Sequence, residues 1–523
     1  MSTDKYAQND SKRGIVKSTT IMSSGTLASR ILGFFRDVLI AHLLGTAAMA
    51  EAFFVAFRIP NLFRDLVGEG ATNSALVPVL SEYEAKKDKE ALWRFVSVFF
   101  ILSLMILSAI TVLGIIFAPL IVRVIAPGFI VDSEKLESTI RLTRIMFPYL
   151  ILIGLTAYSM GILYTFRSFL SPALSPCLLN VAMIAGALIS IKTHQDTIFC
   201  LAVSVLVGGV LQLLMQTGSL FRRGMVFYPP ATLSHEGAKK VGRLLLPRLF
   251  GSAIYQLNIL VDTLCASLAM IVGQGGIAAI YYANRIVQFP MGMVGVSLAS
   301  AILPSLAGFA ARNDTEHLKK TLMFSLENIL LVMLPTSVFL VILAVPITRV
   351  IFERGEFNAY STAVTSWALL FYALGLVGFG GAKIMVTTFH ALQDTATPVR
   401  IGFLCLVVNV ALNFLLMAPL KVGGIALASS IASTMNFLLL FRLVKRRLGK
   451  DGLGVNRFFL KVAAATAVMA FSVIGFWQLA NIPSEAFRLI AANVLALLVF
   501  TASGYYLQIE QIKKAFEWIS RKK

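Results

Sequence analysis

Ser29-Arg30-Ile31-Leu32-Gly33-Phe34-Phe35-Arg36-Asp37 decides how this chain is read, with its continuation Glu51-Ala52-Phe53-Phe54-Val55-Ala56-Phe57-Arg58-Ile59-Pro60-Asn61-Leu62-Phe63-Arg64 and Gly68-Glu69-Gly70. Both halves read as helix at membrane depth. Yet residues 29–70 carry four arginines, with Asp37, Glu51, Asp65 and Glu69 among them. An ionisable side chain inside a bilayer costs at least about 2.5–3.5 kcal/mol, so four arginines require a reason. A guanidinium is always charged, and its fork of donors matches phosphate oxygens. One reading is a polar cavity that holds an anionic head group. The other is arginines that snorkel to the interface or pair with Asp37, Glu51 and Asp65.

Composition sets the class. Of 523 residues, 57% are apolar and only 14% charged, where soluble domains carry about 25% charged residues. This is a polytopic, all-α membrane protein. The net charge of +20 does not point to nucleic acid, because the basic residues cluster in short loops between apolar runs. Met1 to Lys12 is polar and runs straight into a spanning segment, so no cleavable leader is expected. Cys177, Cys200, Cys265 and Cys405 lie far apart in apolar runs and read as small core residues.

A span needs about 20 mostly apolar residues. Fourteen such stretches are expected: 15–44, 47–80, 92–126, 139–166, 172–191, 196–220, 240–273, 277–310, 321–352, 359–392, 397–419, 423–444, 457–480 and 486–508. Pro60, Gly68 and Gly70 predict a broken second span, and Pro290 and Gly292 a broken eighth. Summed over alternate loops, roughly thirty Lys and Arg fall on one side and about seven on the other, which places both termini in the cytoplasm.

The chain repeats. Ala52-Phe53-Phe54-Val55-Ala56-Phe57-Arg58-Ile59 parallels Ala279-Ile280-Tyr281-Tyr282-Ala283-Asn284-Arg285-Ile286, at an offset of 227. Thr165-Phe166 recurs as Thr388-Phe389, and Asn180-Val181-Ala182 as Asn409-Val410-Ala411. The expected organisation is two pseudo-symmetric six-helix lobes, 1–229 and 230–450, with two further helices in 451–523. Parallel repeats around a central site are a transporter architecture.

The chain carries no Gly-x-x-x-x-Gly-Lys-[Ser/Thr] loop and no Gly-x-Ser-x-Gly elbow, and its five histidines show no metal-ligand spacing. Enzyme function is therefore not expected. In the C-terminal half, Asp262 is a carboxylate inside the seventh span. Asn409 and Asn413 share a face of the eleventh, and Ser429 adds a hydroxyl on the twelfth. These oxygens suit Na⁺, or Asp262 alone a proton; the alternative is an interhelical hydrogen-bond set. Lys383 is a possible partner of Asp262.

Ser29-Arg30-x-x-Gly33-x-x-Arg36-Asp37, the Ala52 to Phe57 run, Pro60-Asn61-x-x-Arg64, Glu69-Gly70-Ala71 and Arg285-x-x-x-Phe289-Pro290 resemble the MurJ/MviN lipid II flippases of the multidrug/oligosaccharidyl-lipid/polysaccharide exporter superfamily. The resemblance runs over essentially the whole chain. It implies a bacterial cytoplasmic-membrane protein that moves lipid II, the undecaprenyl-diphosphate-linked peptidoglycan precursor, to the outer leaflet by alternating access. It further implies that Arg36, Arg64 and Arg285 meet the diphosphate and that Arg30 is essential. Ser29, Asp37, Glu51, Arg58, Asn61 and Glu69 complete the expected substrate site. Glu51 stands where the family commonly has aspartate, and Arg58 where it has lysine. The last two helices imply a groove for the isoprenoid tail. Expected partners are lipid II, membrane lipids and cell-wall synthesis proteins. The competing functions are export of another lipid-linked oligosaccharide or of drugs, a non-transporting envelope scaffold and, more distantly, a membrane glycosyltransferase.

Overall fold

The computed structural model describes residues 2–67, 71–86, 88–229, 232–449 and 456–520, with side chains given there except at 2–19, 63–67, 71–74, 246–253, 255, 456, 515–516 and 518–520. Among the described residues every regular element is helical. Two compact units form, Met1–Leu264 and Cys265–Lys523.

The first unit contains α1 (Ser2–Leu44), α2 (Ala48–Val67), α3 (Ala71–Lys86), α4 (Lys89–Ile116), α5 (Ala118–Ile125), α6 (Ser133–Met146), α7 (Tyr149–Thr165), α8 (Leu170–Thr193), α9 (Thr197–Arg222) and most of α10 (Glu236–Ser267). In the second unit are α11 (Ala269–Val272), α12 (Gly276–Pro290), α13 (Ser297–Ala311), α14 (Thr315–Ile342), α15 (Ala344–Phe352), α16 (Ala359–Leu374), α17 (Leu376–Ala391), α18 (Ala396–Leu420), α19 (Val422–Leu448), α20 (Asn456–Leu479), α21 (Glu485–Tyr506) and α22 (Glu510–Ser520).

Short polar caps start these helices. Asp88 accepts the Ala91 N–H at 2.9 Å, Asp132 that of Lys135 at 3.0 Å, Asp314 that of His317 at 3.1 Å and Asn358 that of Ser361 at 3.0 Å. The repeat is visible in these caps. Asp88 and Asp314 stand 226 residues apart, as do Asp132 and Asn358. At the ends of α8 and α18, His194 and Lys421 turn left-handed at φ 52° and 54°. Lobe equivalence is therefore legible in capping as well as in hydropathy.

Ten helices or continuous helix runs among the described residues are long and apolar enough to cross a bilayer, and eleven when α16 and α17 count as one span bent by 48°. The other three expected spans, 15–44, 47–80 and 240–273, each include residues whose side chains lie outside the description. Two expected breaks take another form. Pro60 sits inside α2, and Gly68 and Gly70 lie outside the described residues. At Pro290 the helix does not stop: a π-helical run, Met291–Val296, joins α12 to α13. Proline lacks an N–H and crowds the carbonyl four residues back, and a widened turn absorbs both effects without ending the helix.

The division between units falls within α10. The N-terminal end of α10 is fastened to the first unit: Lys240 Nζ lies 2.5 Å from Glu82 Oε2 on α3. That hydrogen bond and charge hold the Glu82 carboxyl below its ordinary range.

Helices α1 and α8 pack closely, and Gly25 makes that possible. A Cβ there would sit 2.6 Å from the Ala173 carbonyl oxygen. Backbone cannot yield as a side-chain tip can, so Gly25→Ala will separate the helices and destabilise the unit by about 1–3 kcal/mol. Gly33→Ala is the control. Its Cβ would meet the Asn180 amide at 3.6 Å, ordinary contact, and alanine favours helix by about 1 kcal/mol. Thermal unfolding midpoints in detergent compare the two; equal midpoints would refute the close crossing at Gly25.

Candidate functional site

The expected arginines do not share one environment. Arg36 is 6% exposed and Asp37 1%. Arg36 Nε and Nη2 both donate to Asp37 Oδ1, at 3.0 and 2.7 Å. Nη1 donates to Asn180 Oδ1 on α8 at 2.9 Å. Asn180 Nδ2 in turn donates to the Ser29 carbonyl at 3.0 Å and to Ser29 Oγ at 3.3 Å. Ser29, Gly33 and Arg36 fall on one face of α1 by helical spacing, and α8 lays an amide along it. Gly33 thus faces Asn180.

Glu51 stands elsewhere. It is 2% exposed and pairs with Lys135, itself 7% exposed, in the first turn of α6. The Lys135 ammonium also lies 4.0 Å from the centre of the Phe129 ring. Arg58 reaches α10, where Nη1 donates to Thr263 Oγ1 and, at 3.5 Å, to the Ile259 carbonyl. Asn61 Nδ2 donates to the Phe57 carbonyl one turn back at 3.0 Å. Arg30 is exposed on α1. The side chain of Arg64, on α2, and the whole of Glu69 lie outside the described residues.

In the second unit Arg285 donates from Nη2 to Tyr281 Oη at 2.9 Å, and its guanidinium lies 4.9 Å from the centre of that ring. Asn413 Nδ2 donates to Asn409 Oδ1 at 3.0 Å, and Asn409 Nδ2 to Ser429 Oγ at 3.3 Å. The two asparagines and the serine therefore form a hydrogen-bonded chain from α18 to α19. Asp262 is buried on α10, in the first unit. Lys383 is exposed.

Sequence reasoning missed Lys135 and the role of Asn180. Lys135 lies just before the expected fourth span, but α6 begins at Ser133. A lysine in a helix's first turn opposes the helix dipole unless an acid faces it, and that was the available signal. Asn180 was already singled out by the repeat, which pairs it with Asn409.

Chemically, Arg36–Asp37 and Glu51–Lys135 are buried ion pairs among the described residues of the first unit. Such pairs persist in low dielectric only when fully hydrogen-bonded.

The family model described as "Lipid II flippase MurJ" matches residues 40–491. A probable lipid II flippase MurJ of Buchnera aphidicola subsp. Schizaphis graminum is 33% identical over 515 residues, 97% of this chain and 100% of that protein. One from Rhizobium tropici is 37% identical, covering 94% of this chain and 93% of its own. Among solved structures, "Lipid II flippase MurJ, inward closed conformation" superposes with a TM-score of 0.81 at 28% identity, over 94% of this chain and 100% of that one. An inward-facing multidrug-resistance MATE transporter shares the fold at a TM-score of 0.68 and 17% identity, over 82% of this chain and 98% of that one.

Proposed function

The chain belongs to the lipid II flippase MurJ family, and from that premise we propose that it grips its substrate's diphosphate with Arg36, Arg64 and Arg285 and carries it outward by alternating access. It is a multi-pass membrane protein and a lipid II flippase, with a place in peptidoglycan synthesis that follows from its substrate. One observation carries the arginine reading: Arg36 is buried and charged, and is held from two sides by Asp37 and Asn180. Interfacial snorkelling would leave it exposed. Transport of this kind needs binding and closure rather than bond chemistry, so no catalytic residue is assigned.

Cells depleted of the protein should accumulate lipid II on the cytoplasmic leaflet, as read by an impermeant probe of the outer leaflet. Outer-leaflet lipid II at the parental level after depletion would refute the function. The orientation is checked in a cysteine-free background. Single cysteines at Ser133 and Ser484 should react with an impermeant thiol reagent from outside, and one at Lys89 should not; the reverse pattern would invert the topology.

Cation coupling is proposed for the Asp262 carboxylate; Asn409, Asn413 and Ser429 bond to one another in the second unit, as an interhelical hydrogen-bond set. Asp262→Asn should then alter the dependence of flipping on Na⁺ or on pH. Unchanged dependence on both would remove the carboxylate from the mechanism.

A further inference from the structure

We infer that Asn180 is a positioning residue for Arg36, one that sets where the guanidinium stands when it meets the substrate's diphosphate; this rests on the arginine reading above. The amide works in two directions. Its oxygen accepts the Arg36 Nη1–H at 2.9 Å, and its nitrogen donates to the Ser29 carbonyl and hydroxyl at 3.0 and 3.3 Å. Ser29 and Arg36 lie two turns apart on the same face of α1. One side chain of α8 therefore spans both turns, passing over Gly33 at ordinary contact distance. One turn along α8, Met183 Sδ lies 3.8 Å from the same Nη1.

An arginine side chain has rotamer entropy to lose, and a fork pinned in advance loses it before the ligand arrives. Asp37 alone leaves the guanidinium free to swing about its own helix, since the two residues are neighbours on α1. The bond to a second helix removes that freedom. A neutral amide also holds the fork without adding another carboxylate to compete with a phosphate.

The repeat separates this job from simple packing. The equivalent Asn409 uses its amide with the same polarity: Oδ1 accepts, and Nδ2 donates to a serine hydroxyl on a neighbouring helix. There the accepted donor is the neutral amide of Asn413. In the first unit it is the Arg36 guanidinium. The scaffold is shared, and the charged partner is specific to Asn180.

A double-mutant cycle tests this on the purified full chain, with lipid II binding followed by native mass spectrometry and unfolding midpoints measured in parallel. Asn180→Leu should weaken lipid II binding about ten-fold, the scale of one charge-assisted hydrogen bond. Its midpoint should fall modestly, because the buried Arg36 and Ser29 groups lose their partner, but the protein should still fold. Asn180→Asp keeps an oxygen for the guanidinium but adds a carboxylate that competes with the phosphate and loses the donor to Ser29, so its affinity should stay below the parental value. In an Arg36→Ala background, Asn180→Leu should weaken binding no further. An equal loss in both backgrounds, or no loss in either, would overturn the positioning role while leaving the arginine reading intact. Parental affinity in Arg36→Ala alone would overturn both.

Discussion

Lys135→Ala will destabilise the first unit by about 3–5 kcal/mol and abolish flipping, although Lys135 belongs to no substrate motif. Both members of its pair with Glu51 are buried, at 7% and 2% exposure. Removing the ammonium leaves the Glu51 carboxylate buried without its cation, and a broken buried pair costs that much. Glu51→Ala should be damaging in the same way, because it leaves the lysine in the same surroundings. The informative variant removes both charges. Lys135→Met with Glu51→Leu replaces the pair by apolar groups of similar size, which is commonly neutral or stabilising. Its unfolding midpoint in detergent should return to the parental value. Flipping by the refolded double variant then reports whether Glu51 also touches substrate: full activity would confine it to pairing, and none would give it a second role. If Lys135→Ala unfolds at the parental midpoint, the pair is not a stability determinant.

The second large effect concerns the arginines. Arg36→Ala, Arg64→Ala and Arg285→Ala should each abolish flipping in proteoliposomes, while the protein still inserts. Each loses a charge-assisted contact to the diphosphate of about 1.5–3 kcal/mol. Lysine should rescue only partly, since an ammonium is a point charge that cannot reproduce the bidentate fork. Arg123, exposed on α5, should tolerate either change. Arg36 needs one further variant, because its loss also removes the guanidinium from the buried Asp37. Arg36→Ala with Asp37→Asn restores charge balance without restoring the fork. A double variant that folds but does not flip, while Asp37→Asn alone still flips, supports contact of Arg36 with substrate. Recovered flipping would reduce Arg36 to neutralising Asp37, and the anion site would then rest on Arg64 and Arg285.

Much of this was legible in the residues. Apolar runs separated by basic loops gave a polytopic helical protein, because a bilayer forces each backbone polar group into internal hydrogen bonds. The offset between Ala52–Ile59 and Ala279–Ile286 revealed two lobes, and the helix caps repeat at nearly the same spacing. The charge density of residues 29–70 marked the region where the ion pairs form. Local signals succeed here because hydropathy, capping and helical face are set by neighbours within a few turns.

What the tertiary structure decided is which charge meets which. Glu51 and Lys135 are 84 residues apart and Arg36 and Asn180 are 144 apart, so no periodicity links them. The resemblance implied Glu51 at the substrate site, and Lys135 lay outside the expected fourth span; packing of α2 against α6 brings the two together inside the first unit. Likewise, only the packing of α8 on α1 shows that an amide lies over Gly33. The sequence determined that this membrane interior would hold charges, because residue type alone sets the cost of burying them. The partners that offset that cost were decided by the fold, because a desolvated charge is stabilised by whatever lies within a few ångströms, however distant along the chain.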